Sequence, residues 1–388
     1  MSSSTTKLTP LIEDMLKNVD QYGGVIASLT LTLLADIMNS DPLCVKDVHE
    51  SGLAKIFFDM LLSGKVEPTP ELVLTLPNVI SAFSLTDFGS TKVEEVNPFP
   101  ALMKLFHSPQ YVMPHSRSMQ NDLPAIFGTN LDEVIRHVPK LRPHCIAAIV
   151  QAMKDLDRIG QDLVEAELNG ENRTDNRTEF IQYVHNLSMV CEQVLMKNEH
   201  AAPFVEAGGI DYMLNLYNYL LPPSRPLLAR LSCVSNFSLS HLSHFAPSAT
   251  LTLTLKSIAQ FESCKMIDTV VQALEKRFAN LSASAALLRT MGDTETLNHI
   301  NAEGILSPIP SVSLHMLPKS EENDELIKGY AKYLRSVLTV EWLTSLLGTV
   351  VKTVSQKSEI SASWSGQKWQ QGKEGRKSFS SSSVSSCG

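Results

Sequence analysis

Few residues in this sequence have the means to do chemistry, and their spacing decides what they could do. His241 and His244 in "HLSH" lie one helical turn apart, close enough to share a metal ion, but no carboxylate or cysteine stands beside them to complete a ligand set. The neighbourhood favours two partly exposed histidines on a serine-rich helix. His144 precedes Cys145 directly, and Cys233 lies upstream of His241. By type these are bases and nucleophiles, yet adjacent side chains rarely aim so that one activates the other. The six cysteines show neither CxxC nor Cys/His ligand spacing and read as small buried thiols in a reducing compartment. GxxxxGK[ST], GxGxxG, HExxH and GxSxG do not occur. No catalytic residue, cofactor or metal is therefore expected.

Binding chemistry is better represented. "IRHVPKLRPHC" gathers Arg136, His137, Lys140 and Arg142. These are either cations near a helix C-terminus, where they complement its dipole, or a patch for an acidic partner. Asn78 and Asn236 stand at matching points of two similar segments. A side-chain amide donates and accepts at once, so in a groove it can grip the backbone of an extended peptide. Local capping is the competing role, above all for Asn78 beside Pro77. The formal charge of −8 argues against a general nucleic-acid binder, which needs a basic face.

The elements that must carry these residues are helical. Of the 388 residues, 43% are hydrophobic, 19% charged and only 6% aromatic, with Leu, Met, Ala and Ile prominent over β-branched alternation. Ile26, Leu29, Leu33 and Ile37 mark the apolar face of a helix from about Tyr22 to Asn39. "VHESGLAKIFFDML" and "FVEAGGIDYMLNLY" then share a design: a short helix, a glycine joint at Gly52 or Gly209, and a second helix. A third helix follows each, "PELVLTLPNVISAFSL", which Pro77 must kink or divide by starting a new helix, and "PLLARLSCVSNFSLSHL". A weaker echo is "NHINAEGILSPI". Three-helix units repeated with similar spacing bury their faces only by stacking on one another, so the expected fold is an all-α, armadillo- or HEAT-like α-solenoid.

The expected organisation is a disordered N-terminus over 1–8, helical repeats over 9–164, an exposed polar loop over 165–178, helical repeats over 179–354 and a disordered Ser/Gly/Lys-rich tail over 355–388. The N-terminus lacks the pattern of a secretory signal. The longest uncharged run, Leu231 to Leu255, is broken by serines, His241, His244 and Pro247, so no membrane insertion is expected.

Several stretches resemble the N-terminal region of the giant HECT-type E3 ubiquitin ligases, the animal ligase with UBA and WWE modules in particular: "ESGLAKIFFDML", "LPNVISAFSL" with "PFPALMKLFHSPQYV", "GTNLDEVIRHVPKLR" and "FVEAGGIDYMLNLYNYLLPP". They occur in family order and span about Leu8 to Val350, a region whose domain has no known function. The resemblance implies an armadillo-like scaffold, part of a ubiquitin transferase whose catalytic HECT domain is absent from this chain. It implies protein substrates or adaptor proteins as partners and a cytoplasmic, also nuclear, location. A free-standing armadillo adaptor without ligase activity is the alternative.

Overall fold

The computed structural model describes residues 5–64, 66, 69–111, 122–169, 174–221, 246–290 and 320–380; helices fill these segments, and no strand occurs among them. The chain is all-α, as its composition predicts. Helices α1 (Thr5–Lys17) and α2 (Val19–Tyr22) lead into a first triplet, α3 (Gly24–Ser40), α4 (Cys44–Glu50) and α5 (Leu53–Leu62). The second is α6 (Pro70–Phe83), α7 (Asp87–Val96) and α8 (Phe99–Lys104). The third comprises α9 (Leu123–His137), a 3-10 turn (Pro139–Leu141) and α10 (Arg142–Leu168). The fourth is α11 (Thr174–Val194), α12 (Asn198–Glu206) and α13 (Gly209–Leu220). Helices α14 (Ala246–Ala259), α15 (Ser263–Thr290) and α16 (Glu321–Ser380) follow.

Helix α6 shows how pattern becomes structure. Thr69 is extended and Pro70 takes the first helical position, where its missing N–H costs nothing. Leu72, Val73, Leu76, Val79, Ile80 and Phe83 are then buried at spacings of three and four. Pro77 does not start a new helix. It lies buried within α6, which α3 and α9 hold from its two sides.

The joints between short and second helices need a left-handed residue. Gly52 (φ +86°) makes the turn from α4 to α5 and Gly208 (φ +77°) the turn from α12 to α13. The pairing of Gly52 with Gly209 is therefore off by one: Gly208 turns the chain, and Gly209 opens α13. Asn97 (φ +48°) makes the same turn from α7 to α8 without a glycine, because asparagine tolerates this region better than other side chains do.

Stacking follows two ladders. Along one, α3, α6, α9, α11 and α14 pack in succession; along the other, α1, α5, α8, α10, α13 and α15 do. Each layer touches its neighbours, the arrangement of a solenoid. Phe57, Phe58 and Phe83 tie α5 to α6 with ring centroids 5.1–5.5 Å apart. At the far end Trp342 of α16 stacks on Tyr217 of α13 at 4.1 Å and donates its indole N–H to Thr252 Oγ1 of α14 at 3.2 Å.

Three expectations are corrected. The buried side of α3 is Ala27, Leu31, Leu34, Ala35 and Met38, whereas Ile26, Leu29 and Leu33 are exposed. The helix is apolar on both sides, and α6 takes only one of them. The polar stretch 165–178 is not a single exposed loop, because its ends belong to α10 and α11 and Arg177 is buried. Helix α1 begins at Thr5, inside the segment read as disordered. Helix α16 is described as far as Ser380, within the stretch expected to form the tail, and 381–388 lie outside the described residues. One of its stretches, Asn323–Gln356, is long and apolar enough to cross a membrane by length and composition. Much of that apolarity is used internally: Tyr330, Tyr333, Leu334, Val337, Leu338 and Leu343 belong to the buried core.

Candidate partner-binding surface

Asn78 sits in the middle of α6 and is exposed between buried Pro77 and Val79. It caps nothing, and its amide makes no hydrogen bond among the described residues. Glu71, Leu74 and Ser81 share its side of the helix at spacings of three and four. The result is an amide free to donate and accept, on a helix flanked by α3 and α9. Asn236 and the histidines His241 and His244 lie outside the described residues.

The basic cluster is divided by its own carboxylates. Arg136 in the last turn of α9 pairs with Glu133 at 3.6 Å. Lys140 of the 3-10 turn donates to Thr91 Oγ1 at 2.9 Å and lies 4.0 Å from Glu94 of α7, which His144 also approaches at 3.4 Å. Arg142, at the start of α10, meets Glu199 of α12 at 2.7 Å. His137 is exposed in the last turn of α9. The pair of Arg136 stays within α9, whereas the others tie the 3-10 turn and α10 to α7 and α12 at the surface, where each is worth about 0–1 kcal/mol. An acidic partner would have to compete with Glu94 and Glu199 for the same cations. Among the described residues no hydrogen bond or ion pair joins this cluster to Asn78.

The nucleophile candidates fail on geometry. Cys145 is fully buried and burial pushes its thiol far up, while His144 faces Glu94 at the surface. Cys191 is buried and raised in the same way, and Cys44 is buried with its thiol raised by desolvation. Cys264 is exposed; Cys233 lies outside the described residues. Among the described residues no group of three His, Cys, Asp or Glu could hold a metal ion.

Sequence reasoning missed two features. One is a buried clasp in which Glu167 of α10 accepts from Arg177 of α11; its residues read as solvated polar chain. The other is a set of buried or half-buried histidines, His49, His107, His185 and His200. Desolvation lowers the affinity of each for a proton below the ordinary imidazole value. His200, 1% exposed, places Nδ1 2.8 Å from the Val194 carbonyl, to which the neutral Nδ1–H tautomer donates. Depressed folded-state values mean that the unfolded chain binds more protons below its own pKa, about 6.5. The stabilisation is present above that pH and is lost as pH falls through the folded-state values. The urea midpoint is thus expected to decline from about pH 6.5 downward, above the carboxylate range; a flat profile between pH 7 and 5 would contradict it.

Residues 3–173 match the family described as Domain of Unknown Function (DUF913). The chain is similar to E3 ubiquitin-protein ligase UPL1 of Arabidopsis thaliana, 25% identical over 261 residues, 58% of this chain and 7% of that protein. It is similar to E3 ubiquitin-protein ligase ptr1 of Schizosaccharomyces pombe, 26% identical over 210 residues, 53% of this chain and 6% of that protein. Similarity to E3 ubiquitin-protein ligase HUWE1 of Mus musculus is 27% identity over 155 residues, 39% of this chain and 4% of that protein. The matched stretches span only a small fraction of the length of these relatives.

Proposed function

We propose that this chain is an armadillo-like, non-catalytic part of a HECT-type E3 ubiquitin ligase, located in the cytoplasm and nucleus, which holds protein substrates or adaptors while ubiquitin transfer takes place on another domain. The similarity to ligases from plant, yeast and animal is the observation that carries this reading. The stacked helices supply a long surface, and the buried thiols described above are unsuited to carrying ubiquitin. Incubated with ubiquitin and its activating and conjugating enzymes, the full chain is expected to form no thiol-reducible ubiquitin adduct, and such an adduct would sink the reading.

Asn78 is the residue we place in the partner groove. Asn78→Ala removes one amide at an exposed position, so stability should stay within about 0.5 kcal/mol. Affinity for a fluorescent pool of degenerate extended peptides should fall about fivefold, the worth of roughly one net hydrogen bond. Unchanged binding would remove Asn78 from the surface.

A further inference from the structure

A cavity of about 550 Å³ opens where four helices meet: α10 contributes Val164, α13 Asn218, α15 Arg277 and Ser284, and α16 Lys332 and Arg335. Three of these are cations and no carboxylate is among the lining residues, in a chain whose formal charge is −8. Such a concentration of one sign in a concave site, against the charge of the whole, focuses an attractive field on anions.

The lining is also built to donate. Arg277 gives one N–H to Asn215 Oδ1 at 3.3 Å, which fixes its fork and leaves other N–H groups unused. Arg335 is held by the Asn218 carbonyl at 3.3 Å and lies 3.8 Å from Glu167. Ser284 is 6% exposed, and its hydroxyl has no hydrogen-bond partner among the described residues. A hydroxyl so placed can donate to or accept from a ligand in the cavity. Lys332 is exposed and makes no ion pair among the described residues. Burial lowers the pKa of Arg277, and burial with the like charge of Arg177 lowers that of Arg335 to about 10, so an anion here would relieve both.

We propose that this cavity seats a phosphoryl group carried on a side chain of a partner protein. Guanidinium forks match phosphate oxygens in pairs, and three cations with a spare hydroxyl suit a three-oxygen dianion better than a carboxylate. The volume exceeds what a phosphate alone requires and leaves room for the side chain that bears it. The site is built by α10, α13, α15 and α16, makes no use of Asn78 on α6 and does not depend on the ligase reading.

The test titrates the full chain with labelled degenerate peptide pools whose central residue is phosphoserine, serine or glutamate. The phosphoserine pool should bind at least about tenfold more tightly than either other pool, and inorganic phosphate should compete for the site. Lys332→Glu, at an exposed position, should lower that affinity about tenfold or more, in keeping with a charged hydrogen-bonded contact. Ser284→Ala should lower it about fivefold while the thermal midpoint stays unchanged, because the hydroxyl makes no hydrogen bond among the described residues; a merely structural serine would lower the midpoint and leave the affinity as it was. Equal binding of the three pools, or a Lys332→Glu chain with unchanged circular dichroism and full affinity, would overturn the proposal. Protection by inorganic phosphate without phosphopeptide binding would overturn the partner-protein part of it.

Discussion

Replacing Arg177 with alanine is expected to destabilise the chain by about 3–5 kcal/mol, read as a fall in the denaturant midpoint at unchanged m-value. Arg177 and Glu167 each have side chains 8% exposed. Arg177 Nε donates to Glu167 Oε1 at 2.5 Å and Nη2 donates to Oε2 of the same carboxylate. Nη1 donates to the carbonyls of Tyr219, at 3.0 Å, and Leu221, at 2.7 Å, where α13 ends. One guanidinium thus satisfies a buried carboxylate and two backbone oxygens at the C-terminal end of α13, where no following turn of helix offers N–H groups. Alanine removes all of these donors at once. Glu167 would be left with Arg335 at 3.8 Å, and uncompensated burial of charge is what makes breaking such a pair so costly. Arg177→Lys keeps the charge but loses the fork, so it should fall between alanine and the parent. A loss below about 1 kcal/mol for Arg177→Ala would mean that water reaches Glu167 and the clasp is an ordinary surface pair.

The clasp also shows where sequence reading reached its limit. Helices were legible because apolar residues recur at three and four along Leu72 to Phe83 and along Phe180 to Leu195 whatever they pack against. The direction in which α3 faces was not, since Leu29 and Leu31 are equally apolar and only the positions of the helices packed on it, α6 foremost with α1 and α2, decide which is buried. Asn97 escaped notice because a left-handed asparagine before Pro98 has no strong local signature, while Gly52 has. "ENRTDNRT" reads as solvated loop because charge normally lies at the surface. Nothing local shows that Arg177 will meet Glu167 across the turn between α10 and α11, or that the carbonyls of α13 await it. Asn78 was legible only as a groove amide or a local cap, and the fold that leaves it exposed in the middle of α6, capping nothing, comes from the packing of Pro77 and Val79 on either side of it. The basic cluster was legible as charge, but its partners Glu94 and Glu199 come from α7 and α12 and depend on the stacking.

The doubled glycine at the α12–α13 joint separates two physical roles that its sequence does not. Gly208→Ala should cost about 1–2 kcal/mol, for backbone conformation alone: φ is +77°, and the nearest atom to an added Cβ is Asp211 Oδ2 at 3.8 Å. Gly208→Asn should cost less, as Asn97 does the same work at the α7–α8 joint. Gly209 has no such strain, yet an added Cβ would fall 2.3–2.5 Å from three atoms of the Phe204 ring. Phe204 is 0% exposed, so its ring has no solvent to swing into. Gly209→Ala should therefore cost about 3 kcal/mol, the upper range for overpacking, and asparagine should be no better tolerated. The two mechanisms separate in a double variant. Phe204→Leu should recover part of the loss caused by Gly209→Ala, giving a coupling of at least about 1 kcal/mol, and should add independently to Gly208→Ala. Additivity at both positions would show that the ring yields to the new methyl group and that close approach does not set this joint. The angle between α12 and α13, and with it the placement of Asn218 at the wall of the cationic cavity, would then rest on Gly208 alone.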